Sequence, residues 1–322
     1  MQFSEIRELI LADIEASDAL IRKNLHSDVE IIQQIGEYVF QSGGKRLRLI
    51  LTILAGKICA LPAFKPQLLG AIIEMIHTAT LLHDDVIDES KMRRGQASAN
   101  TLYGNAASVL SGDFLYSRTF EMMVQLEDLN VLQELAQTSN KIAEGEMLQL
   151  QNCHRPDLEE AEYLQVIGSK TAALFEAATK IPAVMAQSPA AMQQALKQFG
   201  HDMGVAFQVL DDLIDYTSDA AGMGKNPGDD LSEGKMTLPL IYARKAATAA
   251  DRAIIDAAIL NADASALPEI IRIIQATNSI EEVQRCALHF VNRAKAALAI
   301  LPQSQYREAL ESLADLAIKR SA

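Results

Sequence analysis

The stretch LLGAIIEMIHTATLLHDDVID, residues 68–88, decides the fold class. Its apolar residues recur at spacings of three and four, as at Leu69, Ile72 and Ile76. This is the period of an α-helix, and the apolar face is wide enough for a helix that is buried on more than one side. We therefore predict a long buried helix that ends in a group of aspartates.

The helical period continues through most of the chain. It recurs at 105–126, 130–151, 159–180 and 191–216. Glycine and polar residues predict loops at 42–46, 93–98, 152–157 and 222–235. Alternating strand patterns of any length are missing, so we predict an all-α fold. It would be a single large bundle of long antiparallel helices, one domain over residues 1–322.

The composition limits the classes of partner. The chain of 322 residues has a formal net charge of -13 at pH 7. Such a charge opposes non-specific binding to nucleic acid or to an anionic membrane, so an anionic ligand must meet a local group of positive charges. The three separated cysteines form no CxxC pair, which favours reduced thiols, and the N-terminus lacks the pattern of a signal peptide. We predict a cytoplasmic protein without a transmembrane segment.

An acidic motif occurs twice, as DDVID from Asp84 to Asp88 and as DDLID from Asp211 to Asp215. One acidic group alone is usually a solvated helix end. Negative charge at a helix C-terminus opposes the helix dipole, however, so two such groups call for a compensating cation. The first and last aspartates of each motif share a helix face and predict a two-carboxylate site. Mg²⁺ suits such oxygens together with substrate phosphates, whereas the Cys and His ligands of Zn²⁺ are missing at ligand spacing.

Basic residues in the predicted loops accompany these motifs. They are Lys45, Arg46, Arg48, Arg93, Arg94, Lys225 and Lys235. Arginine and lysine beside flexible backbone are suited to binding phosphate oxygens. Each loop alone would more often be a solvated turn, but their grouping around two acidic motifs favours a site for Mg²⁺ and a diphosphate.

The ordered motifs resemble those of the trans-type polyprenyl diphosphate synthases, the bacterial octaprenyl synthases among them. They are GGKRLR (43–48), LLHDDVIDES (81–90), MRRG (92–95), SKT (169–171), FQVLDDLIDY (207–216) and GKNPGDDLSEGKMTLPL (224–240), and the likeness extends over the whole chain. The resemblance implies an isoprenoid-synthase fold with helices around a central cavity, a homodimer, and up to three Mg²⁺ ions with bound diphosphate. Leu49 stands where the family usually has proline, and we expect a looser start of the following helix with little functional effect.

The resemblance also implies roles for individual residues. Mg²⁺ would be bound by Asp84, Asp88 and Asp211, with Asp215 as a further ligand. Asp85 and Asp212 would support these ligands directly or through water, and the catalytic set would be completed by Lys170. The allylic diphosphate would be contacted by Arg93, Lys170, Thr171, Gln208, Lys225 and Lys235. Isopentenyl diphosphate would be held by Lys45, Arg48, His77 and Arg94.

The implied reaction extends farnesyl diphosphate. Its diphosphate departs, isopentenyl diphosphate attacks the allylic cation, and the released diphosphate accepts the proton. Ala79 and Thr80, about one turn before Asp84, are small where short-chain members carry bulky aromatics, so the growing chain has space. Ile76 and Met123 would lie further along its path, although Ala79 could serve helix packing and methionine commonly fills gaps in cores. The residues alone indicate a C35 to C50 product, and the resemblance implies C40 for quinone side chains.

Three alternatives remain open. A shorter-chain synthase, such as a geranylgeranyl synthase, would share the motifs and differ in product length. A terpene synthase would cyclise its substrate, but such enzymes usually lack the second acidic motif and the site formed here by Lys45 and Arg48. A non-catalytic partner subunit would have eroded motifs, and here both acidic and both basic sets are whole.

Overall fold

The computed structural model describes residues 1–217 and 228–318, which confirm the all-α prediction. Within these residues the helices are α1 Phe3–Leu9, α2 Leu11–Leu25, α3 Glu30–Gln41, α4 Leu47–Ile58, α5 Phe64–Ile87, α6 Ala99–Tyr103, α7 Asn105–Val124, α8 Leu129–Asn152, α9 Glu160–Ile167, α10 Ala173–Met185, α11 Ala190–Thr217, α12 Asp229–Ser232, α13 Leu238–Ala246, α14 Ala249–Asn261, α15 Leu267–Ala276, α16 Ser279–Ala297 and α17 Gln305–Ile318. A π-helical turn spans Gly168–Ala172, and 3-10 turns span Ala264–Ala266 and Leu298–Ile300. None of these helices is both long enough and apolar enough to span a bilayer.

Contacts between Cα atoms group the chain into two compact units. The first contains Met1–Ala136, Ala177–Lys197 and Ile300–Ser312, and therefore holds the first acidic motif. The second contains Gln137–Glu176, Gln198–Ala299 and the described residues of Leu313–Ala322, and holds the second motif. A single domain over the whole chain stays a prediction.

Helix α5 has the buried character that its sequence predicts. Leu69, Ile72 and Ile76 are buried, and the helix packs against α2, α4 and α7. It ends at the aspartates, where the backbone N–H of Asp88 donates to the carbonyl of Asp84 at 2.8 Å. The apolar run thus fixes the helix in the core of the first unit and brings its acidic end to the edge of that core.

The predicted loop at 93–98 contains a tight hairpin. Strands β1 Met92–Arg93 and β2 Gln96–Ala97 pair antiparallel through a two-residue turn at Arg94 and Gly95. Both turn residues have positive φ, 54° and 76°, as the favoured hairpin turns with φ > 0 at both central residues require. Strands of two residues are too short to leave an alternating pattern, so the sequence predicted only a loop.

Two other segments differ from their predictions. The helix expected over 159–180 is interrupted by the π-helical turn, which carries the SKT motif at 169–171. The segment 222–235 was predicted to be a loop, but its described part contains the short helix α12. Gly228 precedes this helix in a left-handed conformation with φ 83°. Residues 222–227 lie outside the described residues.

Candidate active site

The second aspartate of the first motif points inward and anchors an arginine. Asp85 is only 3% exposed, and its Oδ1 accepts hydrogen bonds from Nε of Arg93 at 2.8 Å and from Nη2 of the same residue. Burial opposes the charged guanidinium, but the hydrogen bond to Asp85 and the charges of Asp84 and Asp88 outweigh it and raise the pKa of Arg93. Arg93 therefore remains a fixed cation beside the motif.

The first and last aspartates of this motif have a different environment. Asp84 and Asp88 are only partly buried, and they lie one turn apart at the end of α5. Asn100 binds the backbone between them, since its Nδ2 donates to the carbonyl of Asp85 at 2.9 Å. The motif is thus held from inside by Asp85 and the backbone, while two carboxylates stay at the surface.

A cavity of about 20 Å³, with room for about one water molecule, lies beside this anchor. Its lining includes Asp85, Arg93, Arg94 and Leu81, together with Tyr38 from α3. The hydroxyl of Tyr38 donates to the carbonyl of Ala97 at 2.6 Å and so ties α3 to the hairpin. Two arginines and an apolar wall line this cavity, which is too small to hold a diphosphate with a hydrocarbon chain.

The residues predicted to bind isopentenyl diphosphate form a positively charged group in the first unit. Burial lowers the pKa of His77 well below its ordinary value, and the charges of Arg48 and Arg94 lower it further. The guanidinium of Arg94 also lies against Gly44, where an added Cβ would be 2.9 Å from Nη1. The structure therefore brings His77, Arg48 and Arg94 close to the loop that contains Gly43 and Gly44. Lys45 in this loop is exposed.

Arg46 lies near this group, and its charge also lowers the pKa of His77, but its side chain is bound to residues of the fold. Its guanidinium is 3.4 Å from a carboxylate oxygen of Glu74 and lies over the ring of Phe40 at 5.0 Å from the ring centroid. Glu74 is buried, so the ion pair neutralises a carboxylate inside the first unit. Burial and the nearby charges of Arg46 and Arg93, partly offset by Glu74, lower the pKa of Arg94.

The start of α4 is held at Leu49 by a hydrogen bond to a buried carboxylate, and the loosening expected relative to proline stays a prediction. The N–H of Leu49 donates to Oε1 of the buried Glu74 at 3.2 Å, and the side chain is fully buried. A proline at this position would lack the donor. Leucine thus gives Glu74 a second partner beside Arg46, and the helix start is held by a hydrogen bond.

The second motif shares the buried inner aspartate of the first motif but gives it different partners. Asp212 is buried, and its two oxygens accept hydrogen bonds from the hydroxyl of Tyr163 at 2.7 Å and from Nε2 of Gln208 at 2.6 Å. Oε1 of Gln208 in turn accepts from the hydroxyl of Thr171 at 2.9 Å. Burial, and then the charge of Asp230, raise the pKa of Asp212 well above its ordinary value. Asp212 is therefore an inner anchor like Asp85, whereas Asp211 is partly exposed.

The last aspartate of the second motif binds the segment that follows the undescribed residues. Oδ2 of Asp215 accepts from the N–H of Asp230 at 3.2 Å, and its carbonyl accepts from the N–H of Gly228 at 3.2 Å. Asp215 is itself buried. Sequence reasoning missed Asp230, because in the stretch GDDLSEGK only Lys235 was selected, although the adjacent carboxylates Asp229 and Asp230 were a usable signal.

The lysines of the second unit are held by carboxylates. Nζ of Lys170 lies 2.7 Å from a carboxylate oxygen of Glu146, and Lys235 forms an ion pair with Glu233. Sequence reasoning did not select Glu146 or Glu233. Lys225, the third lysine of the prediction, lies outside the described residues.

A preformed metal cage is missing from the described residues, in which no three His, Cys, Asp or Glu side chains are grouped as for a metal ion. Mg²⁺ commonly uses only one or two carboxylates and completes its shell with water and substrate phosphates. Asp84 and Asp88, partly exposed one turn apart, have the donor type that this coordination needs. The magnesium ions and their ligands Asp84, Asp88, Asp211 and Asp215 stay predictions.

The predicted chain-length residues lie on two helices that pack together. Ile76 and Ala79 on α5 and Met123 on α7 are buried, and Thr80 is partly buried with its hydroxyl donating to the carbonyl of His77 at 2.9 Å. Thr80 precedes Asp84 by one turn and shares its face. The role of these four residues in product length stays a prediction.

Comparisons with known proteins agree on one family. The sequence profile of the family described as polyprenyl synthetase matches residues 29–275. The chain is 44% identical over 321 residues to octaprenyl diphosphate synthase of Escherichia coli (strain K12), with 99% of each chain covered. It is similar to the crystal structure of a polyprenyl synthase from Caulobacter crescentus CB15 complexed with calcium and isoprenyl diphosphate, with a TM-score of 0.96, 40% identity, and 100% and 98% coverage. A decaprenyl diphosphate synthase from Rhodobacter capsulatus gives a TM-score of 0.94 and 38% identity with both chains fully covered.

These matches extend along nearly the whole chain and include proteins named for the synthesis of long prenyl chains. They assign the chain that carries the two acidic motifs to one known class of enzyme. The chain belongs to the polyprenyl synthetase family of prenyltransferases.

Proposed function

We propose that this protein is a long-chain trans-polyprenyl diphosphate synthase, which adds isopentenyl diphosphate units to farnesyl diphosphate and ends at octaprenyl (C40) diphosphate. The observation that carries the proposal is the shared arrangement of the two acidic motifs. In each, the second aspartate is buried and held by hydrogen bonds, from Arg93 in the first motif and from Tyr163 and Gln208 in the second, while the first aspartate is partly exposed. The product would supply the side chain of a respiratory quinone.

The side chains divide the chemistry between two diphosphates. Arg93, fixed by Asp85, together with Lys170 and Lys235, would stabilise charge on the departing allylic diphosphate. Mg²⁺, up to three ions at Asp84, Asp88, Asp211 and Asp215, would supply further neutralisation of that charge when bound.

The second diphosphate belongs to isopentenyl diphosphate. Arg48, Arg94 and Lys45 would hold it by charge, and His77 would contribute a neutral hydrogen-bonding ring because its pKa is lowered. None of these residues is required as a nucleophile. The released diphosphate accepts the proton of the condensation, so that no protein base is assigned.

Turnover with defined substrates tests this proposal. Purified protein is incubated with farnesyl diphosphate, labelled isopentenyl diphosphate and Mg²⁺, and the dephosphorylated products are sized, with EDTA as the control. We expect a metal-dependent series that ends at C40. Products that stop at C20 would support the shorter-chain alternative, and a lack of elongation with every allylic primer would support a non-catalytic subunit.

Ala79→Tyr is expected to shorten the product to C20 or less. Ala79 is 1% exposed, and on the proposed path a tyrosine ring there would fill space into which the chain grows. The measurement is product sizing at full conversion, with Ala79→Leu as a smaller, graded change. Full-length C40 product from a folded Ala79→Tyr protein would contradict the assigned path.

A homodimer is the proposed assembly, in the cytoplasm. Its support within the first unit is an apolar face on α7, where Leu110 is 63% exposed and Val124 is 71% exposed. Phe120 is exposed on the same side of the helix, as the helical period places it. Three large apolar side chains that are exposed on one helix face of a single chain are typical of a surface that a second protein chain covers.

Leu110→Glu should therefore weaken the dimer. Wild-type protein is expected to have about twice the chain mass of 35.1 kDa by light scattering, and the variant is expected to shift toward the monomer mass on dilution. Leu260→Glu is the control, because Leu260 on α14 is similarly exposed but lies in the second unit. A wild-type monomer, or an equal response of both variants, would reject this face.

A further inference from the structure

Two lysines of the second unit meet at one amide group. Gln149 on α8 satisfies its neighbours when its side-chain oxygen faces Lys170 and Lys235, and Nζ of these residues then lies 2.9 Å and 3.3 Å from that oxygen. An ammonium group only donates hydrogen bonds, so the oxygen and not the NH₂ group has to face both lysines. One acceptor thus joins the π-helical turn to the segment that follows α12.

A close approach of two backbone segments, α8 and the π-helical turn, brings Gln149 near Lys170. Gly145 lies one turn before Gln149 on α8, and a Cβ at Gly145 would be 2.4 Å from the backbone nitrogen of Lys170. Glycine therefore lets α8 run directly against the π-helical turn. That close approach places Gln149, on the same face of α8, within reach of the Lys170 side chain.

The acceptor differs in charge from the other partners of the two lysines. Lys170 pairs with Glu146 and Lys235 pairs with Glu233, and each carboxylate neutralises its own lysine. An anionic ligand competes directly with these carboxylates for the ammonium groups. The neutral amide of Gln149 does not repel an arriving phosphate, so it can keep both lysines in place while they exchange a carboxylate for a phosphate oxygen.

We propose that Gln149 is a positioning residue for the allylic diphosphate, which holds Lys170 and Lys235 as a pair at one oxygen atom. The inference rests on the proposed function, because it takes these two lysines as diphosphate ligands. Two ammonium groups within hydrogen-bond distance of one oxygen are close enough to bind neighbouring phosphate oxygens of a single ligand. Gln149 itself need not touch the substrate.

Gln149→Met tests this role, since methionine keeps the size and flexibility of glutamine but lacks the oxygen acceptor. We expect the KM for farnesyl diphosphate to rise about tenfold, the effect of losing a hydrogen bond to a charged group. The KM for isopentenyl diphosphate and the melting temperature should stay unchanged. Gln151→Met is the matched control, because Gln151 is exposed on the same helix, and it should behave like wild type.

Calorimetric binding of farnesyl diphosphate with Mg²⁺ separates positioning from a general effect. Lys235→Met should weaken binding, and adding Gln149→Met to it should weaken binding less than Gln149→Met does alone, because the pair is already broken. Additive effects, equal rises in both KM values, or no change in Gln149→Met would overturn the proposal. If wild type elongates no primer, the proposed function fails, while the binding comparison still decides the role of Gln149.

Discussion

Asp84→Asn should lower kcat about a thousandfold, the size of effect expected when a group that stabilises a departing charge is lost. Asparagine keeps the shape of the side chain and one oxygen but removes the negative charge that a Mg²⁺ ion requires. Because Asp84 is partly exposed, we expect a change in unfolding free energy of no more than about 0.5 kcal/mol. The variant should also need more Mg²⁺ to reach half of its own maximal rate.

The measurement is steady-state elongation of farnesyl diphosphate over a Mg²⁺ titration, with the melting temperature recorded in parallel. Asp28→Asn is a suitable control, since Asp28 is exposed in the segment between α2 and α3. It should leave both quantities unchanged. An Asp84→Asn protein that retains a tenth or more of wild-type kcat would show that this carboxylate is not a metal ligand in catalysis.

Helix periodicity predicted the parts of the fold that depend on burial alone. The helices at 105–126, 130–151 and 191–216 appear as α7, α8 and α11, because long apolar stripes leave a strong signal in the sequence. The π-helical turn was not predictable in this way, since one extra residue per turn hardly changes an apolar pattern. Yet it is this turn that carries Lys170 to Glu146.

The site was predictable as a set of residue types but not as a set of partners. The motif DDVID offers three carboxylates with similar local sequence, and periodicity alone cannot tell that Asp85 turns inward to Arg93. The same holds for Asp212, whose partner Tyr163 is 49 residues away in sequence. Long-range partners of this kind are set by tertiary packing, so the roles of Glu74, Gln149 and Asp230 also became apparent only in the structure.

Asp85→Leu should destabilise the fold far more than Asp84→Leu, although the two residues are adjacent. Removing Asp85 leaves the largely buried guanidinium of Arg93 without its carboxylate, and we expect a loss of about 3 kcal/mol of unfolding free energy. Asp84→Leu removes a partly exposed carboxylate and should change that free energy by less than about 1 kcal/mol. Both variants should lose activity, so only stability separates the inner aspartate from the outer one.

Urea unfolding of both variants at one protein concentration measures the difference, and a third protein identifies its cause. In the double variant Asp85→Leu with Arg93→Met, neither charge remains buried, so much of the lost stability should return while activity stays absent. Recovery of stability without recovery of turnover is the result expected if Asp85 acts on the fold through Arg93. If instead Asp85→Leu and Asp84→Leu unfold at the same urea concentration, the hydrogen bonds of Asp85 contribute little, and Arg93 must be held in place by the hairpin backbone alone.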